Sequence, residues 1–201
     1  MSWIKVIAES EASGKLKKLY DRIRGKDGHL DHIMMAHSLR PHSMEGHMAL
    51  YKYVLHHTNN TIPKWFLEAL GVYTSLLNNC MYCVEHHFAG MLRLLNDEEK
   101  AQGIRKAFEA DKISSVFELK EAEAFAYAKL LSVAPSEVSE ADIEKLRALG
   151  WTDGEILEIN QVTAYFHYAN RTVLGLGVTL ENKNVGLSPD DSSDPNNWTH
   201  Q

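Results

Sequence analysis

The stretch WFLEALGVYTSLLNNCMYCVEHHFAGMLRLL, residues 65–95, decides the fold of this chain. Apolar residues recur at helical spacing on both sides of the pair Asn78-Asn79. Asparagine interrupts a helix and is a favoured N-cap of the next one, so the stretch predicts two helices joined by a tight turn. Pro63 stands just ahead of the first helix, where its fixed φ is tolerated. The two helices can therefore lie antiparallel, side by side.

The second predicted helix carries both cysteines of the chain, Cys80 and Cys83. Residues three apart on a helix are neighbours, at about the separation that a disulfide needs. His87 follows Cys83 by four residues and shares its helix face, where an imidazole can accept a thiol proton. In a reducing compartment such a pair is more often redox-active or metal-binding than a structural link. The spacing therefore favours thiol redox chemistry.

Glu68 stands twelve residues before Cys80. On one straight helix the two would be roughly 18 Å apart along the axis. A turn at Asn78-Asn79 instead brings the first helix back along the second. We therefore expect Glu68 to be a buried carboxylate beside His87, where it can orient the imidazole and pass a proton.

Other interpretations of these residues remain open at this level. The cysteines could be small core residues, since a free cysteine packs as a small hydrophobe. Glu68 taken alone is more often solvated, and His86-His87 could be one core and one surface histidine. Cys80, Cys83 and His87 could bind zinc with a fourth ligand, although no second close cysteine pair follows. Haem attachment requires a histidine directly after the second cysteine, where Val84 stands.

Length and charge restrict the class of protein. The chain has 201 residues, enough for one domain with a core or two small ones, and a net charge of −6 without a basic run, which argues against nucleic-acid binding. No apolar stretch is long enough to cross a membrane, so we expect no membrane association. Residues 1–10 lack the apolar segment of a secretory signal. These features predict a cytoplasmic protein.

The rest of the chain also predicts helices and no strand, which indicates an all-α fold. We expect a single helical domain over residues 1–183 and a polar C-terminal tail over residues 184–201.

The histidines at positions 32, 37, 42 and 47 recur every five residues, so they spiral around a helix; we interpret them as scattered positions and not as a metal site. Three of the remaining helices are predicted over residues 13–24, 44–57 and 118–132, and Gly25 ends the first of them. Three others are predicted from their first residues: one starts at Asn96 with Glu99, one at Ser139 with Asp142, and one at the capping box of Thr152 and Glu155.

The pattern Glu-x11-Cys-x2-Cys-x3-His, formed by Glu68, Cys80, Cys83 and His87, resembles the active-site signature of the AhpD-like alkylhydroperoxidases, within the carboxymuconolactone decarboxylase superfamily. The stretches 142–151 and 162–171 resemble a branch described as peroxidase-related proteins. The resemblance covers roughly residues 10 to 180.

This resemblance implies an AhpD-like multi-helix bundle that assembles into homo-trimers or hexamers and reduces a small-molecule hydroperoxide with electrons from a dithiol reductant. It implies no metal and no cofactor. By similarity, Cys83 attacks the peroxide, Cys80 resolves the sulfenic acid into a disulfide, and His87 with Glu68 forms a proton relay, through water. The archetypal enzyme has a second histidine between the cysteines, where this chain has Tyr82.

Two other hypotheses about function compete with peroxide reduction. The decarboxylases of the superfamily lack the cysteine pair, which disfavours the lactone reaction. The alternative from another functional class is a non-catalytic helical oligomeric module that uses the pair as a redox sensor or a zinc site.

Overall fold

The computed structural model describes residues 1–24, 28–181 and 185. Within these ranges the protein is all-α, as predicted, and contains no β-strand. The predicted stop at Gly25 and the predicted tail, apart from Val185, lie outside the described residues. The helices are α1 (Gly14–Ile23), α2 (His32–Ala36), α3 (Pro41–Tyr51), α4 (Lys64–Leu77), α5 (Met81–Leu95), α6 (Glu98–Glu109), α7 (Leu119–Val133), α8 (Glu140–Ala148) and α9 (Asp153–Leu176).

The antiparallel pair α4–α5 forms the centre of the fold. Ten consecutive residues of α4, from Phe66 to Ser75, are buried, so this helix is surrounded by protein on all sides. The turn into α5 is made by Asn79, which adopts a left-handed backbone conformation with φ of 55°. This conformation is tolerated by asparagine better than by most residues. The sequence prediction of two helices broken at Asn78-Asn79 is confirmed.

The long helix α9 crosses α4 at close range. A side chain at Gly71 would overlap the ring of Phe166, so glycine is required for this approach. Phe166 is fully buried and its ring also contacts that of His87, with centroids 4.5 Å apart. The crossing therefore supports the same part of α5 that carries the thiols.

Most predicted helix starts are confirmed. The capping boxes Ser139–Asp142 and Thr152–Glu155 are both formed, with reciprocal side-chain bonds. The start of α6 is different, because Asp97 and not Asn96 caps it, while Asn96 ends α5 in a left-handed conformation. Two elements differ further: α2 was not predicted, and the helix predicted over 44–57 ends at Tyr51 and continues as one π-helical turn, Lys52–His56.

Three buried clusters make up the interior. The largest is formed by α4, α5, α7 and α9, and a second lies among α1, α2 and α3. The third surrounds the two cysteines where α2, α5 and the end of α9 meet. No helix in the described ranges is both long and apolar enough to cross a membrane.

Candidate active site

The two cysteines are buried at the start of α5. Cys80 is the N-cap residue, one position ahead of the helix, because its own backbone is not helical. An N-cap at Asn79, the second residue of the asparagine pair, would instead have placed Cys80 in the first turn. Cys83 follows within the helix, and the two residues lie 3.3 Å apart with both thiols free. Cys80 is completely inaccessible to solvent and Cys83 retains 2% exposure.

A small cavity of about 50 Å³ opens beside Cys83. This volume is enough for a few water-sized groups. Cys83 is among the residues that line it and Cys80 is not, so Cys83 is the cysteine that borders the cavity. The walls combine apolar and titratable side chains: Asp31, Ile33, Met34, His47, Met48, Tyr51, Glu68, Tyr82, His86, His87, Tyr165 and Ala169.

Glu68 and His87 meet at this cavity, as the sequence predicted. Oε2 of Glu68 lies 2.6 Å from Nδ1 of His87, and the side chain of Glu68 is 1% exposed. Gly90 makes room for the carboxylate, because a Cβ there would lie 3.3 Å from its Cδ. A hydrogen bond at Nδ1 fixes the ring and leaves Nε2 to exchange protons. The geometry suits a carboxylate that orients a histidine.

The ionised form of Glu68 is stabilised by two histidines. Burial acts to raise the pKa of this carboxyl group, but the charge and hydrogen bond of His87 and those of His56 outweigh it and lower the pKa to about 2. Nε2 of His56 lies 3.3 Å from Oε1 of Glu68 and 3.1 Å from the hydroxyl of Tyr51, so this nitrogen is shared by two oxygens.

His56 was not identified from the sequence. It lies in the π-helical turn after α3, where residues five apart are aligned, and its ring contacts that of Tyr51 at 4.9 Å between centroids. A search for α-helical spacing of three and four does not pair these two residues. A π-helical turn is frequent at functional sites, but no sequence signal marks it here.

Asn170 of α9 connects the thiols to the turn before α5. It is fully buried, its Nδ2 donates to Oγ of Ser75 at 3.0 Å, and its Oδ1 accepts from Nδ2 of Asn78 at 2.9 Å. Its side chain also hydrogen-bonds both cysteines and acts to lower the pKa of each. A buried amide held on several sides can stabilise thiolate at either sulfur.

The ionisations of the two thiols are coupled. The hydrogen bond from Cys83 lowers the pKa of Cys80 more than burial raises it. The same bond, together with burial, raises the pKa of Cys83 well above its usual value. Cys80 is therefore the thiol that ionises first and Cys83 the one that holds its proton longer, and the two groups titrate as a unit.

A second buried carboxylate, Glu181, lies beside His86 and Tyr82. Its Oε2 is 2.7 Å from Nε2 of His86, and its Oε1 accepts bonds from the hydroxyl of Tyr82 at 2.8 Å and the backbone N–H of His32 at 2.5 Å. Burial acts to raise the pKa of Glu181, but these donors lower it to about 2. Sequence reasoning missed this residue, which stands beyond α9 without any pattern around it.

The described residues also define which metal sites the geometry allows. Potential ligand atoms of His29, Asp31 and Glu181 lie within 4.8 Å of one another. Both oxygens of Glu181 already accept protein hydrogen bonds, so we assign no metal to them. The three zinc ligands considered above, Cys80, Cys83 and His87, do not form such a group among the described residues.

One of the four histidines that recur every five residues, His47, lies in the interior and belongs to the site. His47 is 4% exposed, lines the cavity and lies 3.3 Å from the hydroxyl of Tyr165. Its ring also contacts His37, with centroids 5.0 Å apart. Burial, followed by the charges of His37 and His87, lowers the pKa of His47 to about 3, so it is neutral near pH 7. Our interpretation of His47 as a scattered position was wrong.

Comparison with known proteins shows the fold. No protein-family profile and no curated protein matches the sequence. Among solved structures, a peroxidase-related protein with an alkylhydroperoxidase AhpD core from Ralstonia eutropha JMP134 has a TM-score of 0.78 at 22% identity, covering 90% of this chain and 93% of that one. A peroxidase-related protein from Silicibacter sp. TM1040 has the same TM-score at 20% identity and covers 90% and 92% of the two chains.

A debrominase, Bmp8, has a similar fold, with a TM-score of 0.70 at 19% identity over 88% of this chain and 91% of that chain. A cysteine-to-alanine variant of Bmp8 has been crystallised with 2,3,4-tribromopyrrole. At such low identity the likeness extends to the fold alone. The chain thus has the AhpD-like fold that its sequence resembles.

Proposed function

We propose that this protein is a thiol-dependent peroxidase that reduces hydroperoxides through a dithiol–disulfide cycle of Cys80 and Cys83. One observation carries the proposal. Cys83 lines a cavity that is also lined by His87, whose imidazole is held at 2.6 Å by the buried Glu68. A nucleophile, a proton-exchanging group and a residue that orients it are thereby brought together around a small space.

In the first step the Cys83 thiol gives its proton to the imidazole of His87, and Asn170 stabilises the thiolate that results. The Cys83 thiolate attacks the terminal oxygen of the hydroperoxide, and the O–O bond breaks. Cys83 becomes a sulfenic acid and the alkoxide leaves with a proton from His87, directly or through water. Glu68 stabilises His87 while it carries the proton.

The second step closes the disulfide. Cys80 loses its proton and attacks the sulfur of Cys83, expelling hydroxide that is protonated to water. Over the two steps, one hydroperoxide and two thiols are converted to an alcohol, water and a disulfide. A dithiol reductant then returns two electrons. We place the protein in the cytoplasm, a compartment that supplies such reductants.

The proposal is tested by the mass of the reduced full-length protein after one equivalent of hydroperoxide. We expect a loss of two hydrogens per chain, with alcohol formed in equal amount, and recovery of the original mass with a dithiol. A covalent dimer linked through cysteines, or a stable sulfonic acid, would contradict the cycle.

Two cysteine variants assign the roles. In Cys80→Ser the sulfenic acid at Cys83 lacks its partner thiol, so a sulfenic-acid-specific reagent should label Cys83. In Cys83→Ser no sulfenic acid should form at Cys80, which is outside the cavity. The opposite result would reverse the roles. A disulfide that forms in the wild type without stoichiometric alcohol would favour the redox-sensor module, and zinc in the purified protein would favour the zinc module.

We propose further that the protein is a homo-oligomer, a trimer or a hexamer. The resemblance of the sequence to the AhpD-like proteins, which implies such assemblies, supports this proposal. Light scattering at micromolar concentration measures the assembly, and a mass near that of one chain would refute it.

A further inference from the structure

Two consecutive histidines on α5 are each paired with a buried carboxylate. His87 contacts Glu68 and His86 contacts Glu181. Adjacent residues on a helix point about 100° apart, so the two imidazoles face different sides of the cavity that both line. The proton relay proposed above uses His87 and leaves the second pair without a role.

The second pair is closely held. The carboxylate of Glu181 is 2% exposed and accepts three hydrogen bonds, from His86, Tyr82 and the backbone of His32. The ring of Tyr82 stacks on that of His86, with centroids 4.4 Å apart and 27° between the planes. A carboxylate so deeply buried requires positive charge or strong donors around it.

This second pair borders the buried cluster that contains Cys80. Tyr82 belongs to the same cluster as both cysteines, and the ring of His86 stacks on the ring of Tyr82. The groups whose charges act on His86 are Asp31, Glu181 and Cys80. The pKa of Cys80 is lowered by hydrogen bonds with Cys83 and Asn170 and by the charge of His86. His86 is thus the histidine whose charge reaches Cys80.

We propose that Glu181 and His86 form a positioning pair for Cys80, in which Glu181 holds the imidazolium of His86 in place and His86 stabilises the thiolate of Cys80. The pair deepens the proposed function and depends on it for its role in turnover. Tyr82 completes the pair, because its hydroxyl satisfies the other oxygen of Glu181.

The physical basis is a balance of charges. Burial lowers the pKa of His86, but the hydrogen bond and charge of Glu181, with the charge of Asp31, raise it above the usual value. His86 is therefore charged at a pH where an isolated imidazole is losing its proton. Its positive charge in turn acts to lower the pKa of Cys80.

In the cycle this charge acts on the steps in which Cys80 carries negative charge. Cys80 must be a thiolate when it attacks the sulfenic acid at Cys83. It becomes a thiolate again when the reductant attacks Cys83 in the disulfide and Cys80 leaves, and a lower pKa makes it the better leaving group. The His86–Glu181 pair would therefore speed disulfide formation and reduction, whereas Glu68–His87 serves the reaction with peroxide.

The test is a pH titration of thiolate absorbance near 240 nm in the full-length Cys83→Ser protein, where Cys80 is the only thiol. We expect His86→Gln to raise the midpoint by about one unit, a tenfold change in the ionisation constant. Glu181→Gln should raise it in the same direction, because His86 then loses its proton more readily. Glu158→Gln is the matched control, since that carboxylate also accepts backbone N–H bonds but lies at Thr61 and Ile62.

A double variant separates a pair from two independent effects. If Glu181 acts through His86, adding Glu181→Gln to His86→Gln causes no further rise and lowers the midpoint, because a buried negative charge near the thiolate has been removed. Additive rises, or an unchanged midpoint in His86→Gln, would overturn the proposal. If circular dichroism shows that His86→Gln does not fold, the titration of Glu181→Gln alone tests the proposal. An unchanged Cys80 midpoint in Glu181→Gln would then overturn it.

The titration contains no peroxide, so its outcome is separate from that of the proposed function. Failure of the wild type to reduce hydroperoxides would leave the Cys80 midpoints as they are. Failure of the His86 and Glu181 variants to shift them would leave the mass test of the disulfide cycle unaffected.

Discussion

The two histidine–carboxylate pairs around the thiols differ in how the chain builds them. Glu68 is 19 residues before His87, on the neighbouring antiparallel helix α4. Glu181 is 95 residues after His86, beyond the end of α9. The first pair follows from one turn at Asn79, whereas the second requires α9 to be packed in place. The difference shows that a functional contact between adjacent helices leaves a fixed spacing in the sequence, and one made by a distant segment does not.

The pairs also differ in the partners of the carboxylate. Glu68 is held between two imidazoles, those of His87 and His56. Glu181 has one imidazole, one phenolic hydroxyl and one backbone N–H. Each arrangement lowers the pKa of its carboxyl group to about 2. Replacing Glu68 and Glu181 one at a time therefore tests whether two carboxylates with similarly low pKa values have different roles in the site.

The largest expected effect is on acid stability. Because the folded-state pKa of Glu68 is depressed from 4.5 to about 2, its ionisation stabilises the fold above pH 4.5, and this contribution is lost as the pH falls from 4.5 to 2. For Glu68 the loss is about 3 kcal/mol. We expect Glu68→Gln to flatten the fall in the free energy of unfolding over this range, measured by urea denaturation at a series of pH values.

Glu181→Gln should flatten the same curve in the same direction, because its pKa is also depressed to about 2. The exposed Glu11→Gln is the control and should follow the wild type. Parallel curves for Glu68→Gln and the wild type would show that Glu68 does not act through its ionisation.

The second effect is on the proposed reaction with hydroperoxide. Glu68→Gln keeps the shape of the side chain but removes the charge that supports His87. We expect the rate of sulfenic acid formation, measured by stopped flow, to fall about 10²-fold, as for loss of a general base. The helical circular dichroism spectrum should be unchanged. A wild-type rate from pH 6 to 9 would restrict the relay to His87 and solvent.

The third prediction concerns a residue that acts on both cysteines. Asn170→Asp replaces the amide that hydrogen-bonds the two thiols with a carboxyl group. We expect the thiolate titration of the reduced protein to move upward by about one unit, a tenfold loss of thiolate at a given pH. Asn160→Asp on the same helix is the matched control, because Asn160 contacts the hydroxyl of Tyr127 instead. A shift of equal size in the control would assign the effect to α9 in general.

The smallest predicted effect comes from adding one methyl group next to the carboxylate of Glu68. Gly90→Ala places a Cβ 3.3 Å from the Glu68 carboxyl carbon, so the carboxylate must shift by a few tenths of an ångström from His87. We expect the peroxide rate to fall by about threefold to tenfold, since misplacement of a positioning group by 1 Å can cost 10²-fold.

Gly103→Ala is the control for the change at Gly90, because a Cβ at Gly103 meets nothing within 4 Å. It should leave the peroxide rate unchanged and stabilise α6 by about 0.5–1 kcal/mol, since alanine favours a helix over glycine. Equal rates for Gly90→Ala and the wild type would indicate that the position of Glu68 is tolerant.

Much of the fold follows from short-range patterns. The two capping boxes and the break at Asn78-Asn79 depend on residues within about four positions of one another, and the structure confirms them. α2 and the π-helical turn at 52–56 were missed, because five-residue elements carry too few residues to establish a period. The cap of α6 differed by one residue, since Asn96 and Asp97 are both good capping residues.

The sequence by itself determined the all-α fold, the proximity of Cys80 to Cys83 and the contact between Glu68 and His87, because each depends on helical spacing and one turn. Only the tertiary structure decided that Cys83 and not Cys80 lines the cavity, that Asn170 hydrogen-bonds the thiols, and that Glu181 pairs with His86. Those contacts join residues more than 80 positions apart and depend on how α9 packs across α4. A single polar residue on such a distant element carries no period and no fixed spacing, so its partner is set by packing alone.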